Sequence, residues 1–127
     1  MIDAELEITF EINTQDIDLC GDYFSMKSQI KLASPPNLKD RVFIRGIGYE
    51  ERYSNIRTEG FTIESVEYYH DGSLKLESYF EFDDLDTEDD VREAVHVLQE
   101  LGFELDEAKN GAYGSNERLG DLLNAKA

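Results

Sequence analysis

Carboxylates dominate the side chains able to do chemistry: 29 Asp and Glu stand against 12 Lys and Arg, two His and one Cys. Neither His70 nor His96 has a Ser, Cys or second His at a spacing that would pair a nucleophile with a base. His70 precedes an expected hairpin turn, and His96 sits between Val95 and Val97 in an expected helix, so both read as surface or boundary residues. Cys20, beside Gly21, has no CxxC partner and no neighbouring base, and reads as an inert thiol. Gly46-Ile47-Gly48 is too short for a phosphate cradle and no expected helix follows it. No catalytic residue and no cofactor is expected, and an enzyme is the least supported class.

Residues 83–90 hold six carboxylates in eight positions: Asp83, Asp84, Asp86, Glu88, Asp89 and Asp90. Oxygen ligands of this kind suit Ca²⁺ or Mg²⁺, and Asp84-x-Asp86-x-Glu88 matches the start of a calcium loop. The match ends there. The glycine of the sharp turn is missing, and the twelfth position is Val95 instead of a glutamate. No metal site is expected; the run reads as a capped helix start with solvated charge.

The remaining pattern is an array of charge. Alternate residues of a strand lie about 6.5–7 Å apart, close to the gap between successive nucleic-acid phosphates. Glu77, Glu81 and Asp83 fall on one such series of alternate positions, with Tyr79 between the first two, as do Asp3, Glu5 and Glu7. The candidate partner-binding residues are Glu77, Tyr79, Glu81, Asp83, Asp84, Asp86, Asp89 and Asp90. Tyr79 is the aromatic anchor among them, because tyrosine is enriched at interface hot spots.

The net charge of −17 exceeds what solubility needs. Phosphate is repelled by such a chain, which argues against direct binding of nucleic acid. A basic partner is attracted and its encounter accelerated. The excess is concentrated: residues 76–108 carry 13 carboxylates against Arg92 alone, a net of −12, whereas residues 23–75 net +1. A uniform pressure for solubility would not require that asymmetry.

The elements that must position these charges follow from periodicity. Residues 2–12 alternate without a fault, with Ile2, Ala4, Leu6, Ile8, Phe10 and Ile12 on one face and Asp3, Glu5, Glu7, Thr9 and Glu11 on the other. Residues 23–32 alternate again and place Lys27 and Lys31 across from those glutamates if the two strands form a hairpin. A third strand is expected over residues 41–49, central or covered by a loop, because apolar residues occupy both of its faces. Residues 50–60 read as a long connection. A fourth strand over residues 61–70 slips phase near Glu64 and Ser65, which predicts a bulge. Asp71-Gly72 marks a tight hairpin into a fifth strand, residues 73–82. Helix period then takes over at Val91, Ala94, Val95, Leu98 and Leu101, with Asp86 or Thr87 as the cap and Gly102 as the stop. Phe103-Glu104-Leu105 forms a short edge strand, residues 106–114 a loop, and Ser115 caps a short terminal helix bearing Leu119, Leu122 and Leu123.

The expected fold is therefore α+β: a five-stranded, mostly antiparallel meander sheet, one main helix on its apolar face and a short helix at the end, in a single domain of 127 residues. With one cysteine no intramolecular disulfide forms, and no signal peptide or transmembrane run is visible, so a cytoplasmic protein is expected. In its general character the chain resembles small acidic phage proteins that act against restriction or CRISPR systems. The expected function is that of a non-enzymatic inhibitor occupying the nucleic-acid groove of a basic protein, with its carboxylates in place of phosphates. An immunity protein neutralising a basic toxin, or an adaptor module of a larger assembly, is the alternative.

Overall fold

The computed structural model describes residues 1–12, 23–47, 50–82, 85, 87–110 and 114–115, with the backbone alone at residues 88, 106–110 and 114–115. The perfect alternation at the N-terminus forms β1 (Ile2–Ile12), with Ala4, Leu6, Ile8, Phe10 and Ile12 all buried. It pairs antiparallel with β2 (Tyr23–Leu32), so that Glu7 lies opposite Lys27 and Asp3 opposite Lys31. Lys27 therefore faces one of the expected glutamates, whereas Lys31 faces Asp3 instead and reaches it at 3.6 Å.

The middle of the chain departs from expectation. Among the described residues of the third segment only Arg41–Val42 is strand, β3, and it pairs with β4 (Phe61–Thr62) in a two-stranded ribbon outside the main sheet. It is not a central strand. Its apolar residues on both faces reflect a ribbon with Val42 and Ile44 packed against the core and Phe43 half-exposed. Residues 48–49 of that segment lie outside the described residues. The stretch read as a long connection is helical instead: a 3-10 turn (Glu51–Tyr53) runs into α1 (Ser54–Glu59). Tyr53 and Ile56, three apart, fall on one face of it and are buried. The expected fourth strand is not one bulged strand: at the phase slip near Glu64 it breaks into β4, in the ribbon, and β5 (Ser65–Tyr68), in the main sheet.

The Asp71-Gly72 turn joins β5 to β6 (Leu74–Phe82), with Tyr69 and Ser73 bonded across it at 3.0 Å. The Asp71 carboxylate accepts from the Ser73 N–H and hydroxyl at 2.9 and 2.6 Å, which lowers its pKa. Helix α2 (Glu88–Glu100) starts at a reciprocal capping box: Thr87 Oγ1 accepts from the Asp90 N–H, and the Asp90 carboxylate accepts from the Thr87 N–H, each at 3.2 Å. It stops at Gly102, where the Phe103 N–H returns to the Leu98 carbonyl at 3.0 Å. The short edge strand extends further than expected, as β7 (Glu104–Asn110), and pairs with β2 and with β8 (Gly114–Ser115). Part of the expected loop is thus strand. The expected terminal helix falls on residues 116–127, outside the described residues.

The main sheet runs β5-β6-β1-β2-β7-β8. It is mixed and not a meander. β6 lies beside β1 and parallel to it, in the register Leu6 with Leu76, Phe10 with Phe80 and Ile12 with Phe82. The remaining pairs are antiparallel. This order adds a contact that a meander would forgo: Phe10, stacked on Phe24 at 5.1 Å, stacks also on Phe82 of β6 at 5.2 Å. Because β6 and β7 run the same way with β1 and β2 between them, α2 is the crossover that returns the chain. Its Val91, Ala94, Val95 and Leu98 join the strand residues in one buried cluster.

Candidate protein-interaction surface

Burying the even residues of β1 and the Leu74, Leu76, Phe82 row of β6 turns the alternate positions outward together. Register then decides which outward residues are neighbours. Glu5 sits beside Lys75, Glu7 beside Glu77, Thr9 beside Tyr79 and Glu11 beside Glu81. On the far side of β1, Lys27 lies opposite Glu7, Ser25 opposite Thr9 and Tyr23 opposite Glu11. The face is therefore not uniform. At its lower end Asp3 meets Lys31, Glu5 meets Gln29 at 3.4 Å, and Lys75 Nζ bonds Glu7 at 3.3 Å. That bond to Glu7 raises the lysine's pKa. At its upper end Glu11, Glu81, Tyr79 and Tyr23 gather where β1 and β6 both finish.

Tyr79 is the aromatic centre of that end. Its hydroxyl donates to the Glu11 carboxylate, and its ring lies 6.4 Å from that of Tyr23. Partial burial, and then the bond to Glu11, push its phenol well above the usual tyrosine range. The side chain still leaves 42% of its area exposed. A ring held by one carboxylate and open to solvent presents a π face to a cation, with negative charge on its flank.

The other candidate residues divide. Glu77 and Glu81 are on this face. Asp83, Asp84 and Asp86 lie outside the described residues, on the stretch into which β6 leads. Asp89 and Asp90 start α2 and already have partners. Asp89 pairs with Arg92 at 2.9 Å, and Asp90 both closes the capping box and receives Arg52 at 2.9 Å. Arg52 also reaches Glu93 at 3.4 Å, so it ties the 3-10 turn to the helix start. Asp90 thus does work for the fold that a run of acidic residues alone does not reveal.

Sequence reasoning left Glu7, Glu11 and Tyr23 out of the candidate set. Alternation places them on the outward face, but only the parallel pairing of β1 with β6 brings them beside Glu77, Glu81 and Tyr79. No local signal encodes that pairing. Among the described residues no three His, Cys, Asp or Glu side chains come together as a metal site, and no helix is long and apolar enough to cross a membrane. No protein-family model matches the chain, and no curated protein or solved structure shows significant similarity to it.

Proposed function

We propose that this chain is a non-enzymatic antagonist of a basic, nucleic-acid-binding protein, and that the outward face of β1 and β6 is what the partner meets. The observation that carries the reading is the in-register placement of Glu7 beside Glu77 and Glu11 beside Glu81. Neighbouring strands are about 4.8 Å apart, and like charges set directly across such a gap cost stability. A cationic partner would turn that repulsion into attraction. Rows of carboxylates spaced like phosphates, with Tyr79 among them, suit a groove built to hold nucleic acid. The acidic stretch 83–90 follows these residues in the sequence. The cell compartment we favour is the cytoplasm, which suits a chain with a single cysteine.

The test is a quantitative pull-down from one lysate with three baits: the unaltered chain, E77Q/E81Q, and E51Q/E59Q, which removes equal charge from the 3-10 turn and α1. Proteins depleted from the first variant alone should be basic, should bind nucleic acid, and should be eluted by duplex DNA. Equal depletion by both variants would reduce the effect to net charge and remove the localised surface. Phage counter-defence and toxin immunity make the same prediction at this step. They part on whether the captured protein is a nuclease complex of the host or a toxin encoded beside the chain.

A further inference from the structure

A second feature lies in the part of the chain that carries almost no net charge. A cleft of about 460 Å³ opens between the end of β2, Pro35 and Pro36, and the segment from Lys39 to Phe43. That volume is in the range of ligand sites. Leu32, Val42 and Phe43 give it an apolar lining, and Arg41 stands exposed at it.

Asp40 and Glu64 are both otherwise engaged. The Asp40 carboxylate accepts from the Asn37 N–H at 2.8 Å, and Glu64 pairs with Lys39. Arg41 has no ion pair among the described residues.

The backbone beside the cleft is equally open. β3 lines it and β4 does not, and among the described residues β3 pairs with β4 alone. The Asp40 carbonyl turns toward the β4 side, where it accepts from the Ile63 N–H at 2.8 Å. The Val42 carbonyl turns the same way and lies 2.7 Å from the point a Cβ on Gly60 would occupy. Alternation then sends the N–H and C=O of Arg41 to the side of β3 away from β4. The Phe43 ring is seated on Gly60, whose ideal Cβ would come within 3.0 Å of it, and keeps 54% of its area exposed.

We propose that this cleft binds an acidic, extended peptide segment, added as a strand along β3. Its main chain pairs with the backbone of Arg41, a carboxylate meets the Arg41 guanidinium, and an apolar side chain rests among Leu32, Val42 and Phe43. Strand addition of this kind draws affinity from main-chain hydrogen bonds and selectivity from alternate side-chain sites. The site is independent of the acidic face, and its ligand has the opposite charge.

The experiment titrates the full chain, ¹⁵N-labelled, with the peptide Ac-Glu-Val-Glu-Val-Glu-NH₂ at 0.15 M salt, where the chain's long-range repulsion is screened beyond about 8 Å. Saturable shifts confined to the amides around Arg41, Val42 and Phe43 are expected. Arg41→Gln should weaken binding about tenfold, and Phe43→Ala should weaken it while leaving the remaining amide spectrum unchanged. Ac-Lys-Val-Lys-Val-Lys-NH₂ should not shift these amides. Peptides N-methylated either at both valines or at all glutamates separate the contacts, because alternation predicts that one pattern abolishes binding and the other spares it. Absence of saturable shifts, equal response to the lysine peptide, or equal affinity of both methylated forms would overturn the proposal. Full occupancy by acetate alone would also overturn it, leaving only an anion contact at Arg41.

Discussion

Tyr53 is 2% exposed, and its hydroxyl is buried with no hydrogen-bond partner among the described residues. Burial, followed by the charge of Glu93, pushes its phenol up to about 12. Removing an unsatisfied buried hydroxyl should help, so Tyr53→Phe is expected to stabilise the fold by about 1 kcal/mol in urea denaturation. The folded chain holds this proton to higher pH than the unfolded chain does. Unfolding therefore releases it between pH 10 and about 12, and the residue's contribution, intact below pH 10, is lost as pH rises through that window. Alkaline melting curves of the phenylalanine variant should fall less steeply across that window than those of the unaltered chain. Gly60 gives a sharper test of backbone. At φ 66° and ψ −162° it occupies a region essentially reserved for glycine, and a Cβ there would meet the Val42 carbonyl at 2.7 Å. Gly72 also has positive φ, at 88°, but open space around it. Gly60→Ala should cost more than about 2 kcal/mol and Gly72→Ala about 1, read from their denaturation midpoints.

At the scale of elements, α2 is the piece that lets β6 and β7 run in the same direction. Leu98 lies on its inner face and is fully buried. Leu98→Ala should cost about 2–5 kcal/mol in chemical denaturation; a loss under about half a unit would mean that the helix contributes little to the core. Elements whose evidence is local were readable beforehand. β1, β2, β6 and α2 each show one uninterrupted period, and the 71–72 turn and the helix caps are short-range chemistry. The meander was the wrong topology because pairing between β1 and β6 links residues about seventy positions apart, and the choice between neighbours is made by which apolar faces fit. The 41–60 stretch misled for a different reason. Its apolar residues serve a ribbon and a short helical stretch, both too short to establish a period. Within the surface, Glu77, Tyr79 and Glu81 were legible from alternation alone, but the rest of their neighbourhood depended on that distant pairing. Asp90 belonged to the legible charge run, yet its contact with Arg52 is tertiary and was not.

At the scale of the molecule, the excess of negative charge has a cost and, under the proposed function, a use. Glu77 faces Glu7 across the parallel pair, with Lys75 offsetting part of the repulsion. Glu77→Gln should therefore raise the stability of the free chain by about 0.2–1 kcal/mol at low salt, and the gain should shrink as salt screens the pair. Destabilisation by this change would show that Glu77 is needed for the fold. The same residue is expected to matter in the opposite sense once a basic protein approaches. Exposed charges chiefly govern the rate of encounter, whereas a group buried in the contact governs dissociation. The most direct measurement is the association rate of the chain with the basic protein captured by the pull-down, followed over a salt series for E77Q/E81Q and E51Q/E59Q. E77Q/E81Q is expected to slow association several-fold at low salt, with the deficit closing at high salt, and E51Q/E59Q to have little effect. Equal slowing by the two variants, or none by either, would contradict this expectation.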